Sequence, residues 1–371
     1  MKLSCSQENL SKGLGIVGRA VATRTTLPIT NNVLLATDQG RLKLAATNLE
    51  IAISYWLDAK VEEEGAITIP ARLFIDFVNS LPNDTVDIAL SPRTHTIEVK
   101  CARFEGRING VEAEEFPPIP SIGEGVTTTI DPEALRLAIA QVVFAAATED
   151  TRPVLTGVQS EFDSDKLTLA AADGFRLAVH KAPLAKPVTE GIEVIIPGRA
   201  LSELQRLLSD HEEPVDITIN PNKSQALFRL KDVEMVSQLI QGTFPNYSQL
   251  IPQSYVTRAE MSLAELTKAT RTASIFAREG SAIVRLQITP GKVVLSARAE
   301  EVGDNVGEVD ATVEGEEAKI AFNSKYLSDV LGVLREDRVA VETTSPSSPG
   351  VIRPVGVDNY IHVVMPMFVQ W

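Results

Sequence analysis

Residues 191–219, GIEVIIPGRALSELQRLLSDHEEPVDITI, read as strand, helix, strand. The aliphatic run 191–197 suits a buried strand. In 198–208, Leu201, Leu204, Leu207 and Leu208 recur near the 3.6-residue helical period, and VDITI (215–219) is rich in β-branched residues. The same shape occurs twice more. GAITIP (65–70), ARLFIDFVNSL (71–81) and DTVDI (84–88) form one instance. AKIAFN (318–323), SKYLSDVLGVL (324–334) and VAVET (339–343) form the other, with Leu327, Val330, Leu331 and Leu334 on the helix stripe.

A second pattern precedes each instance. NVLLATDQGRLKLAATNLEIAIS (32–54), LTGVQSEFDSDKLTLAAADGFRLAV (155–179) and AIVRLQITPGKVVLSARAEEV (282–302) each read as strands joined by turn residues. Before each lies a further amphipathic stretch, 7–21, 132–146 and 263–277. The first two copies run into FPPIP (116–120) and FPNYSQLIP (244–252), stiff non-helical connections suited to domain boundaries. The period, about 125 residues, is too long for a solenoid, so the chain reads as three whole domains in tandem, 1–124, 125–253 and 254–371.

The repeat also disposes of a competing motif. SKGLGIVGRAV (11–21) places Gly13, Gly15 and Gly18 as G-x-G-x-x-G, the spacing of a dinucleotide-binding turn. Aligning Leu10 with Leu135 and Leu266 sets these glycines opposite Ala138 and Ala269, Ala140 and Arg271, and Val143 and Ser274. The counterparts read as plain helix. A phosphate turn should open a helix after its strand, whereas Gln7 to Lys12 already read as helical. The glycines are expected inside a helix, where it lies close on a sheet. The chain carries no G-x-S-x-G, Walker A or H-E-x-x-H sequence, and Asp173-Gly174 reads as a turn. His95, His180, His211 and His362 show no metal spacing, and Cys5 and Cys101 make no disulfide framework. No cofactor, metal or catalytic role is expected. The absence of a bilayer-length apolar run and of a signal-like N-terminus points to a cytoplasmic protein without a membrane partner.

The net charge of −14 argues on average against nucleic acid. Its distribution argues otherwise. The six expected helices and their ends carry Lys12, Arg19, Arg72, Arg136, Arg199, Arg206, Lys268, Arg271, Arg278, Lys325 and Arg335 against Glu8, Asp76, Glu133, Glu203, Glu265 and Asp329. Acid collects elsewhere, at 62–64, 112–115, 300–301 and 314–317. Helix propensity explains the Lys and Arg but not the shortage of Glu, an equally good helix former.

TRTTLPITNNVLL (23–35), AAADGFRLAV (170–179), FPNY (244–247), FNSKYLSDVL (322–331) and MPM (365–367) together resemble the beta subunit of bacterial DNA polymerase III, the sliding clamp or processivity factor of DNA replication. The resemblance covers the entire chain. It implies an α+β fold of three tandem clamp (processivity-fold) domains, each of two β-α-β-β-β halves, with helices lining a ring and sheets outside. It implies a non-catalytic accessory subunit that closes head to tail as a homodimer around double-stranded DNA without sequence preference. It also implies that the DNA polymerase III alpha subunit, the clamp loader, other polymerases and repair proteins dock through a peptide groove. Geometry agrees with two subunits. Six helices about 10 Å wide leave a bore of about 9 Å, and twelve leave about 28 Å, against a duplex of about 20 Å inferred from groove depths near 8 Å.

By the same resemblance, DNA is expected at Arg24 and Arg152; the charge partition adds Arg72, Arg136, Arg199, Lys268 and Arg271 on the helices. Glu149 departs from the neutral polar residue expected on a phosphate path. The peptide groove maps to Leu155, Ala172, Gly174, Phe175, Arg176, Leu177, Pro245, Leu250, Asn323, Tyr326, Val363, Met365, Pro366 and Met367. Ala172 and Phe175 replace more polar groove residues. Leu155 and Leu177 also read as ordinary core. The expected dimer contacts are Ile108, Ile275 and Phe276. The family pattern ends soon after MPM, whereas Phe368-Val369-Gln370-Trp371 continues here, either as a competitor for the groove or as a frayed end. Two rival readings of the whole are a tandem-domain interaction scaffold without DNA and a dinucleotide-dependent enzyme.

Overall fold

The computed structural model describes residues 1–23 and 25–371. Copy one contains β1 (Lys2–Ser6), α1 (Gln7–Val17), β2 (Asn32–Asp38), β3 (Arg41–Thr47), β4 (Ile51–Leu57) and a short β5 (Lys60–Glu63). Its second half is β6 (Ala66–Pro70), α2 (Ala71–Ser80), β7 (Thr85–Ser91), β8 (Thr96–Cys101) and β9 (Phe104–Asn109). Copy two contains β10 (Val126–Ile130), α3 (Pro132–Val142), β11 (Gly157–Asp163), β12 (Lys166–Ala172) and β13 (Arg176–Pro183). It continues with β14 (Ile192–Pro197), α4 (Gly198–Leu207), β15 (Val215–Ile219), β16 (Gln225–Arg229) and β17 (Val233–Gln238). Copy three contains β18 (Thr257–Ser262), α5 (Leu263–Arg278), β19 (Ile283–Thr289), β20 (Lys292–Ala299) and β21 (Gly303–Gly315). It closes with β22 (Ala318–Asn323), α6 (Ser324–Leu331), β23 (Arg338–Thr343), β24 (Gly350–Pro354) and β25 (Tyr360–Val364). Each copy is therefore two β-α-β-β-β halves, as expected.

Within a copy the halves exchange their opening strands. β1 pairs with β7 and β6 with β2; β10 pairs with β15 and β14 with β11; β18 pairs with β23 and β22 with β19. All these pairings are antiparallel, so every copy consists of two interlocked sheets. Successive copies then fuse edge to edge. β4 of copy one pairs with β17 of copy two, and β13 of copy two pairs with β25 of copy three. The long β21 serves both sheets of its copy, pairing with β20 up to Asp310 and with β18 from Ala311 onward. The chain clusters into two compact units, 1–133 with 185–190 and 203–239, and 134–184 with 191–202 and 240–371. The middle copy is thus shared between the two units.

The helices bury the stripe their sequence predicts. Leu10, Gly13, Leu14 and Val17 are buried on α1, and Leu266, Thr270, Ala273 and Ala277 on α5. Ser6 and Ser262 cap these helices by accepting from the amides of Asn9 and Glu265. Of the glycine motif, Gly13 and Gly15 lie inside α1, and Gly18 caps its C-terminal end. A Cβ on Gly13 would meet the Tyr55 ring at 2.6 Å and Leu44 at 2.9 Å, so this glycine lets helix and sheet approach closely. Gly15 faces open space. No phosphate-binding turn exists there. Among the described residues, no helix is long and apolar enough to cross a membrane.

Candidate functional site

In the second unit, Leu155, Ala170, Ala172, Leu177, Val179, Ile195, Phe244, Val351 and Val363 form one apolar cluster. Val154, Ile240, Tyr247 and Ile251 pack against it, half-buried. The expected Leu155, Ala172, Leu177 and Val363 therefore meet, as the buried floor of the site. Phe244, Tyr247 and Ile251 were not singled out in sequence, although FPNYSQLIP contains them. Pro245 and Leu250 are exposed on that same segment, Leu250 at 55 %.

The rim begins at the turn between β12 and β13. Asp173 Oδ1 accepts from the amides of Phe175 (2.9 Å) and Arg176 (3.0 Å), and Gly174 adopts φ +93°, a conformation that favours glycine. Asp173 is thus committed to the turn. Arg176, only 8 % exposed, donates Nε to Asp173 (3.1 Å), Nη1 to Asp329 (2.7 Å) and Nη2 to the Phe144 carbonyl (2.8 Å). Its guanidinium also stacks on Tyr326, 4.4 Å from the ring centre. Arg176 is consequently a clamp under the rim. Phe175 stays exposed and stacks on Tyr326 with ring centres 6.4 Å apart. Asn323 caps α6 by accepting from the Lys325 and Tyr326 amides, which fixes Tyr326 in place.

β25 supplies the opposite side. Leu177 pairs with Val363, and the Met365 amide donates to the Phe175 carbonyl at 2.8 Å. Met365 is 45 % exposed, Pro366 buried and Met367 half-buried. Beneath lie His180 and His362. The His180 Nδ1 hydrogen-bonds with Gln141 at 2.7 Å. Burial pushes the His180 pKa down to about 4 and, together with the Arg176 charge, that of His362 to about 3. Both rings are neutral at physiological pH.

Copy one shows why the floor is not duplicated there. Strand register places Thr30, Thr47, Ser54 and Thr68 where copy two has Leu155, Ala172, Val179 and Ile195. All four are buried, and Thr68 accepts from Asn32 and donates to the Val111 carbonyl. Thr30 and Thr47 likewise donate to the Leu27 and Ile51 carbonyls, so polar residues with their own partners interrupt the apolar floor.

The cationic residues divide into two groups. Arg72, Arg199, Lys268 and Arg271 are exposed on α2, α4 and α5 and form no ion pair with another described residue. Arg136 is half-buried on α3. Arg206 pairs with Glu203, as does Arg19 more distantly, and Lys325 pairs with Asp329. Arg152 donates to the Asp173 carbonyl at 3.0 Å, which places it beside the turn between β12 and β13. Arg24 lies outside the described residues. Of the expected dimer contacts, Ile275 is exposed and Phe276 half-buried, but Ile108 is buried within its own sheet. On the same edge strand Phe104 is 55 % exposed, a residue sequence reasoning passed over.

Known proteins place this architecture. The family profiles of the DNA polymerase III beta subunit match in order: the N-terminal domain at 1–120, the central domain at 129–246 and the C-terminal domain at 248–368. The chain is 32 % identical to the beta sliding clamp of Bacillus subtilis and 34 % identical to that of Synechococcus elongatus, each over 99 % of both chains. The crystal structure of the B. subtilis DNA polymerase sliding clamp superposes with a TM-score of 0.95 at 32 % identity over all of both chains. A Pseudomonas aeruginosa sliding clamp bound to griselimycin superposes at 0.93 with 29 % identity, again over all of both chains.

Proposed function

This chain belongs to the DNA polymerase III beta subunit family of sliding clamps, and from that premise we propose that it closes as a head-to-tail homodimer around duplex DNA and tethers replication partners to it. The observation that carries the proposal is the unfinished repeat of sheet fusion. Copy one's first half joins copy two's second half through β4 and β17, and copy two joins copy three through β13 and β25. Continuing the pattern, β21 of copy three requires the second half of a copy one. That strand is β9, an open edge of its own sheet, so it comes from a second molecule.

The register of the two internal junctions, carried over, sets Phe104 opposite Gly307 and Arg107 opposite Asp304. Gly307 leaves room for the exposed Phe104 ring, since the nearest neighbour of an added Cβ there is Ala269 on α5 at 4.0 Å. Arg107 and Asp304 carry opposite charges. Ile275 on α5 and Leu73 on α2, both exposed, supply further apolar surface for the same junction.

Within such a ring the exposed Arg72, Arg199, Lys268 and Arg271 face phosphates, with Arg136 and Arg24 as further candidates. Contacts to phosphate alone hold DNA without reading its sequence and weaken with salt. Retention comes from closure. The apolar cluster rimmed by Phe175, Tyr326, Leu250 and Met365 takes short peptide segments of the polymerase alpha subunit, the clamp loader and other polymerases or repair proteins. In this reading the protein is a non-catalytic cytoplasmic subunit with domain boundaries near 124/125 and 253/254. Arg152 serves the groove rim rather than DNA.

The double variant Arg107→Cys, Asp304→Cys tests the junction, because native Cys5 and Cys101 are both buried. Oxidation is expected to give a covalent dimer that survives denaturant and, once loaded, stays on a nicked circle. A covalent product that remains monomeric would refute the pairing.

A further inference from the structure

The three copies end in the same way. After β9, Val111 bridges to Thr68 of β6; after β17, the Ile240 amide donates to Ile195 of β14 at 2.9 Å; after β25, the Met367 amide donates to Ala321 of β22 at 2.8 Å. Thr68, Ile195 and Ala321 hold the same register position. An aromatic follows each bridge: Phe116, Phe244 and Trp371. Phe116 and Phe244 are each 6 % exposed and anchor the connections between copies. Trp371 is 47 % exposed, with the Lys319 ammonium 5.6 Å from its ring centre. Lys319 lies on β22, two residues before the bridge.

We propose that residues 367–371 are a strap, anchored by Trp371 on Lys319, that holds the Met365–Met367 wall of the peptide groove in place. The buried Pro366 lies between two backbone tethers, the Met365 amide on the Phe175 carbonyl and the Met367 amide on the Ala321 carbonyl. The first belongs to the groove itself; the second is secured only as long as the chain beyond Met367 stays on the β22 edge. Phe368, 84 % exposed, adds no anchor; Val369 is half-buried, and the Trp371 contact with Lys319 is the outermost hold on the strap. Trp371 and Lys319 are positioning residues, acting on the groove through Met367. The inference rests on the groove reading. It also gives the opposite sign from a tail that competes for the groove, because removal of a strap weakens peptide binding and removal of a competitor strengthens it.

The test uses the full chain, amide exchange at Met367, and a fluorescent hexapeptide with one Gln and an aliphatic-aromatic end, Leu-Phe, the ligand type that the resemblance to sliding clamps implies. Trp371→Ala and Lys319→Met are expected to speed Met367 exchange and to weaken the peptide by about two- to fivefold, the factor one exposed cation–π contact supports. Trp371→Phe and Lys319→Arg, which keep that contact, are expected to restore both. Affinity that is unchanged or tighter in Trp371→Ala, or unchanged Met367 exchange, overturns the strap. If the unaltered protein fails to bind the peptide, the groove reading is the one that fails, and the Met367 exchange rates alone then decide for or against the strap.

Discussion

The Arg176 guanidinium lies 4.4 Å from the centre of the Tyr326 ring while donating to Asp329 at 2.7 Å. A residue opening β13 is thereby locked to α6 of the next copy, and the exposed Phe175–Tyr326 pair stands on that lock. Arg176→Ala leaves the Asp173 carboxylate without its counter-ion and Asp329 with only the exposed Lys325 ammonium. Breaking a buried pair of this kind costs about 3–5 kcal/mol. Urea unfolding is expected to show that loss, and calorimetry a peptide affinity reduced with it. A loss under about 1 kcal/mol would mean that the carboxylates find other partners.

Copy one provides a natural blueprint for erasing the groove. Leu155→Thr with Val179→Ser imports its Thr30 and Ser54. Peptide affinity is expected to fall at least tenfold with the molecular mass in solution unchanged. Wild-type affinity in a folded double variant would remove this cluster as the docking site.

Replacing Arg72, Arg199, Lys268 and Arg271 with Ala is expected to weaken binding to DNA of any sequence alike. Each phosphate contact removed should reduce the slope of log K against log salt by about 0.9. Fluorescence anisotropy across a salt series reads this directly. An unchanged slope would place these side chains away from DNA.

His180 and His362 set an acid limit on stability. Their folded pKa values, about 4 and about 3, lie below the ordinary histidine value. In the window below that ordinary value the unfolded chain takes up protons that the folded protein refuses. Stability is therefore complete above about pH 7 and declines as pH falls. At pH 5 each buried ring costs about 2 kcal/mol relative to neutral pH. Unfolding midpoints measured from pH 7.5 to 5 should drop, and His180→Gln should flatten the curve. An identical curve in that variant would contradict the assignment.

Most of the fold was legible because the repeat appears three times in different residues, so a weak signal in one copy is corrected by the others. α1 illustrates this: its glycines suggested a nucleotide turn, and the non-glycine residues at the matching places in copies two and three argued for helix. The opening strands β10 and β18, VTTTI and TRAEMS, carry little apolar signal, since half of each faces solvent. The exchange of opening strands between halves was not readable at all, being set by pairing between segments far apart in sequence. At the site, the floor residues could be named but their depth could not. Arg176 could be placed at the groove, but not its role as a clamp, because Asp329 and the Phe144 carbonyl lie far from it in sequence. Ile108 and Phe104 share one face of the same edge strand, yet Ile108 is buried and Phe104 exposed, a difference set by what packs over each end of the strand and not by the alternation of its residues.

Dissociation from DNA of two topologies tests encirclement most directly. The protein, 40.2 kDa per chain, is loaded onto a nicked circle, and loss of bound dimer is followed before and after a single cut makes the DNA linear. Encirclement predicts slow loss from the circle and rapid loss from the freed ends, with the difference persisting at salt that abolishes simple electrostatic binding. Equal rates from the two forms would contradict it.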